Sequence, residues 1–229
     1  MTVPLVGTIS ERIAYIQASL PPSVRLIAVT KQVTIEAMRE AYAAGIRDFG
    51  ESKVQEAESK QRELADLPDI VWHLIGHLQM NKAQKALQCF QWIQSVDSLK
   101  LALRLDRLAA QLTQKPQICL QIKLLPDPSK YGWAAPELFT DLAELDQCQH
   151  LQIKGLMTIA PMGLSDADAL ELFEQNRQLA DKIQAQNWQR VQMQELSMGM
   201  SGDFPLAIQA GATMIRLGKI LFGDRQSKR

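Results

Sequence analysis

The sequence predicts an α/β fold: a single (β/α)8 barrel, or TIM barrel, with an extra N-terminal helix. Eight apolar, strand-like segments recur along the chain, and helical patterns separate them. Several of these segments are almost continuously apolar, which is typical of parallel strands buried on both faces. With 229 residues, the chain is near the lower end of the length range of such barrels. We therefore expect one barrel domain over residues 1–229.

The eight strands are predicted from apolar runs bounded by polar or turn-forming residues. An open, doubly wound sheet is the alternative, but its first turn usually carries a glycine-rich fingerprint. No such pattern follows residue 31, so the closed barrel is favoured. The predicted strands are 25–31, 47–52, 71–77, 92–97, 117–124, 152–160, 194–200 and 214–219.

The helices are predicted from apolar residues at helical spacing and from capping residues at their ends. Segment 8–20 is the extra helix, which we expect to pack across the bottom or the side of the barrel. The others are 34–45, which ends at Gly45, 97–112 with Asp97 as N-cap, 165–186 with Ser165 and Asp168 at its cap, and 203–211 between Asp203 and Gly211.

The composition excludes several classes of function. Charges balance at 25 basic against 25 acidic residues, so the basic surplus of a nucleic-acid-binding protein is absent. No apolar run reaches membrane-spanning length, and the first residues lack a signal-peptide pattern. Cys89, Cys119 and Cys148 are scattered and match no metal-binding spacing, which indicates free thiols. The sequence thus predicts a soluble cytoplasmic protein, and its neutral charge and complete barrel favour a monomer.

Lys31 ends the first predicted strand, and the ends of the strands are where TIM barrels carry their chemistry. Because side chains alternate along a strand, Lys31 shares a face with Ile27 and Val29, which are expected inside the barrel. The lysine either extends its amine to water, as strand-end lysines commonly do, or points into the barrel mouth. In the mouth, partial burial favours the neutral amine, a nucleophile for carbonyl groups.

The last two strands carry patterns typical of an anion site. Residues 197–207, SMGMSGDFPLA, combine a strand end, a turn rich in glycine and serine, and a helix start. Backbone N–H groups at such a start attract anions, and Ser201 can donate a hydroxyl hydrogen bond. Gly218 permits close approach of a ligand at the end of strand eight. Gly199 and Gly202 belong either to this site or only to the turn.

A reactive lysine on strand one and a phosphate site after strands seven and eight are neighbours in a closed barrel. A small molecule that carries both an aldehyde and a phosphate would extend from one to the other. Pyridoxal 5′-phosphate (PLP) fits this description, because its aldehyde reacts with lysine.

Six motifs resemble those of the pyridoxal phosphate homeostasis protein family: AVTK, FGES, WHLIGHLQMNK, GLMTIAP, SMGMSGDF and RLGKILFG. The resemblance implies a barrel similar to the N-terminal domain of alanine racemase, with PLP held by Lys31 as an aldimine. It implies phosphate contacts from Ser197, Ser201 and Gly218, with Gly199 in the same turn. Arg216 matches an arginine near the pyridine nitrogen, where a cation makes the ring a weaker electron sink; a structural ion pair is the alternative.

The chain departs from the family motifs at two positions. Ser52 replaces the usual asparagine of FGEN, so its cofactor contact rests on a shorter side chain. Lys219 replaces a frequent threonine and either reaches the phosphate or points to solvent. His77 and Met157 are further candidates for contact with the cofactor, against the alternatives of a structural histidine and a core methionine. Lys130 and Gly132 match a family element that resembles a flap at the mouth.

The resemblance implies a non-catalytic protein that holds PLP and takes part in vitamin B6 and amino-acid homeostasis. PLP-dependent apoenzymes or regulatory proteins are its expected partners. Enzymes on this barrel use a second domain or subunit, which this sequence is expected to lack. A small PLP-dependent amino-acid racemase is the first alternative. The second is a phosphosugar aldolase, for which Lys123 or Lys154 would be the reactive lysine.

Overall fold

The predicted closed barrel is confirmed. A computed structural model describes residues 7–125 and 131–223, and its eight parallel strands follow one another in chain order, with β8 paired to β1. The strands are β1 (Arg25–Val29), β2 (Asp48–Glu51), β3 (Val71–Leu74), β4 (Trp92–Val96), β5 (Gln117–Ile122), β6 (Gln152–Thr158), β7 (Val191–Ser197) and β8 (Met214–Leu217).

Helices follow the strands, as the (β/α)8 arrangement requires. They are α1 (Ile9–Ser19), α2 (Ile35–Ala43), α3 (Val54–Glu63), α4 (Ala83–Cys89), α5 (Leu99–Ala109), α6 (Ala135–Leu145), α7 (Asp166–Gln184), α8 (Phe204–Gln209) and α9 (Lys219–Phe222), with a 3-10 turn at Met80–Lys82.

The extra helix α1 lies on the side of the barrel. It packs against α2 and α9, which flank the seam where β8 meets β1. Its first turn is fixed by a capping box, in which the Thr8 hydroxyl accepts from the Glu11 N–H and Glu11 accepts from the Thr8 N–H. Ser10 also donates to Glu40 of α2, so the helix is held by polar contacts as well as by apolar ones.

Several element ends differ from the predictions. The N-cap of α5 is Ser98, whose hydroxyl accepts from the Leu101 N–H, because the carboxylate of Asp97 bonds to His77 instead. Strand β7 begins at Val191, earlier than predicted. The last strand ends at Leu217, and Gly218 caps the short helix α9, so Lys219 is helical. The N-cap at Ser165 is confirmed: its hydroxyl accepts from the Asp168 N–H.

The core has two layers. The larger one fills the space between the strands and the helices. A smaller cluster inside the barrel comprises Ile27, Trp92, Cys119, Met157 and Met214.

At one point the strands β6 and β7 approach each other unusually closely. A Cβ atom at Gly155 would lie 1.7 Å from the carbonyl oxygen of Glu195, so only glycine fits there. The strand register shifts at this place. The close packing of β7 against β6 therefore requires a residue without a side chain at position 155.

Candidate functional site

A cavity of about 680 Å³ lies at the C-terminal ends of the strands. It brings together side chains that follow β1, β2, β7 and β8, in agreement with the general location of TIM-barrel sites. The predicted site residues that line it are Lys31, Ser52, Ser201, Arg216, Gly218 and Lys219.

Lys31 lies in the turn that follows β1, at the mouth of the barrel. Strand β1 ends at Val29, which lines the same cavity as Lys31. Ile27, one strand repeat deeper, belongs to the cluster inside the barrel. Lys31 is half-buried and is one of the residues that line the cavity.

Arg216 lies on β8 and forms part of the cavity floor. It is 3% exposed, and its guanidinium donates to Ser197 Oγ at 2.7 Å and to the carbonyl of Thr158 at 2.8 Å. Burial lowers the pKa of Arg216 to about 10, whereas the nearby Asp203 raises it. The group therefore remains a cation at neutral pH, held by acceptors on β6 and β7.

A chain of hydrogen bonds continues from Arg216 through the barrel interior. Ser197 Oγ, which accepts from Arg216, donates to Gln94 Oε1 at 2.7 Å. Gln94 Nε2 lies 2.9 Å from His73 Nδ1, and His73 Nε2 lies 2.8 Å from Asp48 Oδ1. Since an amide nitrogen can only donate, His73 Nδ1 must accept, and the ring proton on Nε2 is donated to Asp48.

This assignment agrees with the protonation state of His73. Burial lowers the pKa of His73, although Asp48 opposes that effect. The ring is also stacked on Trp92, which fixes its plane. A neutral imidazole with a single defined tautomer therefore orients Gln94, and through Ser197 it orients Arg216.

The far side of the cavity is formed by the turns after β7 and β8. Ser201 Oγ accepts from the Ile220 N–H at 3.4 Å, so its hydroxyl joins the two turns and still has its own proton to donate. Gly218 packs near β1: a Cβ atom there would lie 3.3 Å from the carbonyl oxygen of Val29. A side chain at this position would reduce the space between the two strand ends.

The charges at the cavity suit a small anion. Lys31, Arg216 and Lys219 line it together with the acidic residues Asp166 and Asp203. One oxygen of the Asp203 carboxylate, Oδ1, already accepts a hydrogen bond from the Met200 N–H at 2.5 Å. The cationic groups and the Ser201 hydroxyl thus provide donors for a phosphate, and Lys31 provides an amine for a carbonyl group.

Four predicted site residues lie elsewhere. Ser197 is fully buried below the cavity, between Gln94 and Arg216, because its position on β7 turns its side chain into the barrel. Met157 is fully buried in the inner cluster. The ring of His77 stacks on Tyr131, with centroids 3.6 Å apart, and bonds to Asp97.

Gly199, the fourth, is required by packing. Its φ is +91°, and a Cβ atom there would lie 2.6 Å from that of Ala207 on α8. Lys130, which belongs to the expected flap, lies outside the described residues, whereas Gly132 has a φ of +126°.

Gln94, Asp166 and Asp203 were not predicted from the sequence as parts of the site. Gln94 is polar and fully buried in the middle of β4, which is unusual for a strand otherwise so apolar. The polar side chain of Gln94 within this strand was the sequence signal that could have identified it. Asp166 and Asp203 are near helix N-termini, where acidic residues are common for reasons of capping alone.

In residues 7–125 and 131–223, no group of His, Cys, Asp or Glu side chains is placed to hold a metal ion. No helix within the same ranges is long and apolar enough to cross a membrane.

The closed parallel barrel, with a lysine in the turn after its first strand at the mouth, is typical of barrels that bind their ligand at the C-terminal ends of the strands. The family model of the alanine racemase N-terminal domain matches residues 6–226. Among curated relatives, the "Pyridoxal phosphate homeostasis protein" of Synechocystis sp. is 55% identical over 91% of this chain and 94% of its own length. The protein of the same name from Pseudomonas aeruginosa is 40% identical over 96% of each chain. This chain therefore belongs to the alanine racemase N-terminal domain family and, within it, to the pyridoxal phosphate homeostasis proteins.

Solved structures agree with this assignment. PipY of Synechococcus elongatus, solved with PLP bound, is 55% identical, with a TM-score of 0.90 over 94% of this chain and 100% of that one. The same protein solved without PLP has a TM-score of 0.91. An alanine racemase of Clostridium difficile in complex with cycloserine is 16% identical, with a TM-score of 0.78 over 96% of this chain and 60% of that one. This last likeness concerns the fold alone.

Proposed function

We propose that this protein binds PLP at the mouth of its barrel and takes part in PLP and amino-acid homeostasis. One observation carries the proposal: Lys31, Arg216, Ser201 and Lys219 all line the same cavity. The relatives named pyridoxal phosphate homeostasis protein and the PLP-bound structure of PipY support it.

Each of these residues would contact a different part of the cofactor. Lys31 Nζ would attach to the aldehyde carbon, with loss of water, while Ser201, Gly218 and Lys219 would bind the phosphate. Arg216 would face the pyridine nitrogen and, as a cation, would keep that nitrogen unprotonated. The cofactor supplies an electron-withdrawing ring, and a ring without the nitrogen proton withdraws electrons less strongly.

We further propose that the protein does not sustain catalysis. The relatives carry names of homeostasis proteins, and the proposed position of Arg216 disfavours carbanion chemistry.

PLP-dependent apoenzymes are the recipients we propose. The three cysteines are free and buried, which suits a cytoplasmic protein. A closed sheet leaves no strand edge for pairing, which favours a monomer.

The central test is to locate the reactive lysine. The purified protein would be incubated with PLP, reduced with borohydride and digested, and its peptides analysed by mass spectrometry. We expect the pyridoxyl group on Lys31, and no visible absorption band in the Lys31→Ala variant. Lys154→Ala is the matched control, because Lys154 bonds to Gln192 away from the cavity. A label on Lys123 or Lys154 would contradict the proposal, as would a protein that takes up no PLP.

A second experiment addresses catalysis. Single L-amino acids would be incubated with the PLP-loaded protein and the products resolved by chiral chromatography. We expect no more than one conversion per molecule of protein. Sustained racemisation would establish the alternative, a small racemase.

A further inference from the structure

Three charged side chains form a cluster behind the turn that carries Lys31. Lys60 of α3 donates from Nζ to Glu51 Oε1 at 2.8 Å and to Glu56 Oε1 at 2.8 Å. The side chains of Lys60 and Glu51 are only 9% and 0% exposed. Buried ion pairs contribute little net stability, because the charges must give up their hydration. The Lys60 cluster, meaning Lys60, Glu51 and Glu56, therefore calls for another explanation.

The Lys60 cluster holds the backbone on both sides of Lys31. On one side, Lys60 Nζ donates to the carbonyl oxygen of Thr30 at 2.6 Å, and the Thr30 hydroxyl donates to Glu51 Oε1 at 2.7 Å. On the other side, the Gln32 N–H donates to Glu56 Oε1 at 2.6 Å. The peptide groups that flank Lys31 are thus fixed by the same small set of charges.

The turn itself is strained at Gln32. This residue has a φ of +61°, which side-chain-bearing residues rarely adopt. The bond from its N–H to Glu56 opposes relaxation of the turn. Since the turn sets the direction of the Lys31 Cα–Cβ bond, this contact limits the directions in which the side chain can extend from the backbone.

We infer that the Lys60 cluster orients Lys31 toward the cavity, and that Glu56 is a positioning residue for attachment of PLP. The inference deepens the proposed function and rests on it. Glu56 is not among the residues that line the cavity, so it would act through the backbone of the turn.

Glu56 is also the member of the cluster that is best suited to a test. Partial burial raises its pKa, but hydrogen bonds from Lys60 and the Gln32 N–H outweigh this effect and lower the pKa overall. It is therefore a carboxylate at neutral pH. Glu51 is less suitable, because burial raises its pKa and its Oε2 has no partner among the described residues. Changing Lys60 would leave that buried carboxylate without its cation and endanger folding.

The experiment compares Glu56→Ala with Glu58→Ala. Both glutamates lie on α3 and have similarly exposed side chains, 25% and 31%. Glu58 pairs with Lys85 and Arg62, away from the turn. We expect Glu56→Ala to slow the attachment of PLP to Lys31, followed by absorbance, about tenfold. Glu58→Ala should leave the rate within about twofold of the unchanged protein.

Two further measurements separate positioning from a general structural effect. Pyridoxine 5′-phosphate has an alcohol in place of the aldehyde, so its binding does not require a correctly directed amine. We expect Glu56→Ala to leave its dissociation constant unchanged. In a Gln32→Gly background, the turn adopts its positive φ without strain, so the rate loss caused by Glu56→Ala should become smaller.

The outcomes are distinct. If the unchanged protein attaches PLP and Glu56→Ala attaches it equally fast, the positioning role is wrong and the proposed function stands. Equal losses for PLP and pyridoxine 5′-phosphate would also overturn it, since they indicate a distorted cavity. If the unchanged protein takes up no PLP, both the proposed function and the inference fail.

Discussion

Ser197 Oγ accepts a hydrogen bond from Arg216 Nη1 at 2.7 Å, and both side chains are buried in the barrel interior. The serine does not line the cavity, although its motif suggested a direct contact with a bound anion. Its oxygen holds the guanidinium, and its own proton is donated to Gln94. The floor of the site is therefore oriented by a network that continues well below it.

The first prediction concerns this network. Ser197→Ala leaves the Arg216 guanidinium with one acceptor fewer and Gln94 Oε1 without a donor. We expect the free energy of unfolding to fall by ~1–3 kcal/mol, the typical cost of leaving buried polar groups unsatisfied. Urea denaturation measures it.

Gln94→Leu provides the partner change for a double-mutant cycle. Since both variants break the same network, their effects should be non-additive by at least ~0.5 kcal/mol. Strict additivity would mean that Ser197 and Gln94 do not act together.

The second prediction concerns pH. Burial lowers the pKa of His73 from its ordinary value of 6.5, so the folded protein keeps the ring neutral where the unfolded chain is protonated. The unfolded state then binds more protons, and the free energy of unfolding decreases as the pH falls below 6.5, by up to ~1.4 kcal/mol per pH unit. Asp48 and Glu195 oppose this shift, whereas Arg25 adds to it.

The control for this prediction is a substitution of the ring. His73→Asn should flatten the dependence between about pH 7 and pH 5, whereas His77→Asn retains His73 and should preserve it. Glu51 acts in the opposite sense, because burial raises its pKa. The folded state then binds the extra proton, so the contribution of Glu51 to the free energy of unfolding increases as the pH falls through that raised pKa. An unchanged slope in His73→Asn would contradict the assignment of a neutral buried ring.

The third prediction compares two glycines of one turn. Gly199→Ala requires a positive φ and a Cβ atom 2.6 Å from that of Ala207, so we expect it to destabilise the protein by ~1–3 kcal/mol. Gly202→Ala is the matched control, because nothing lies within 4 Å of a Cβ atom there. Thermal unfolding should show a clear loss for the first variant only. Equal effects would mean that the turn repacks around α8.

The fourth prediction concerns the cysteines. Burial raises the pKa of the Cys89 thiol, raises that of Cys148 to about 11, and raises that of Cys119 further. The reactive thiolate is therefore scarce at neutral pH, and access is blocked as well. We expect Ellman's reagent to label these thiols slowly in the native protein and rapidly in denaturant. Fast labelling of Cys119 in native conditions would place it outside the barrel interior.

The sequence already contained much of the fold. Continuous apolar runs predicted parallel strands, and caps such as Ser165 predicted helix starts, because burial and helix termini leave local signatures. Element ends were less accurate. Asp97 and Ser98 are both good caps by type, and only the contact between Asp97 and His77 decided which one the helix uses.

The sequence predicted several residues that line the cavity, but not the buried hydrogen bonds that hold those residues in place. Lys31, Ser201 and Gly218 lie next to strand ends, so the general geometry of barrels was enough to bring them together. Gln94 and Ser197 are 103 positions apart, and Lys60 meets the Thr30 carbonyl 30 positions away. No local pattern encodes such pairings.

The amino-acid sequence by itself determined the succession of strands and helices, the lysine just after the first strand and the turns suited to an anion. Each of these depends on neighbouring residues and on a periodicity that can be counted along the chain. The tertiary structure alone decided that Ser197 supports Arg216 and that Lys60, Glu51 and Glu56 hold the turn of Lys31. The physical reason is that closure of the barrel and packing of α3 bring distant side chains within hydrogen-bond distance, where burial forces each polar group to find a partner.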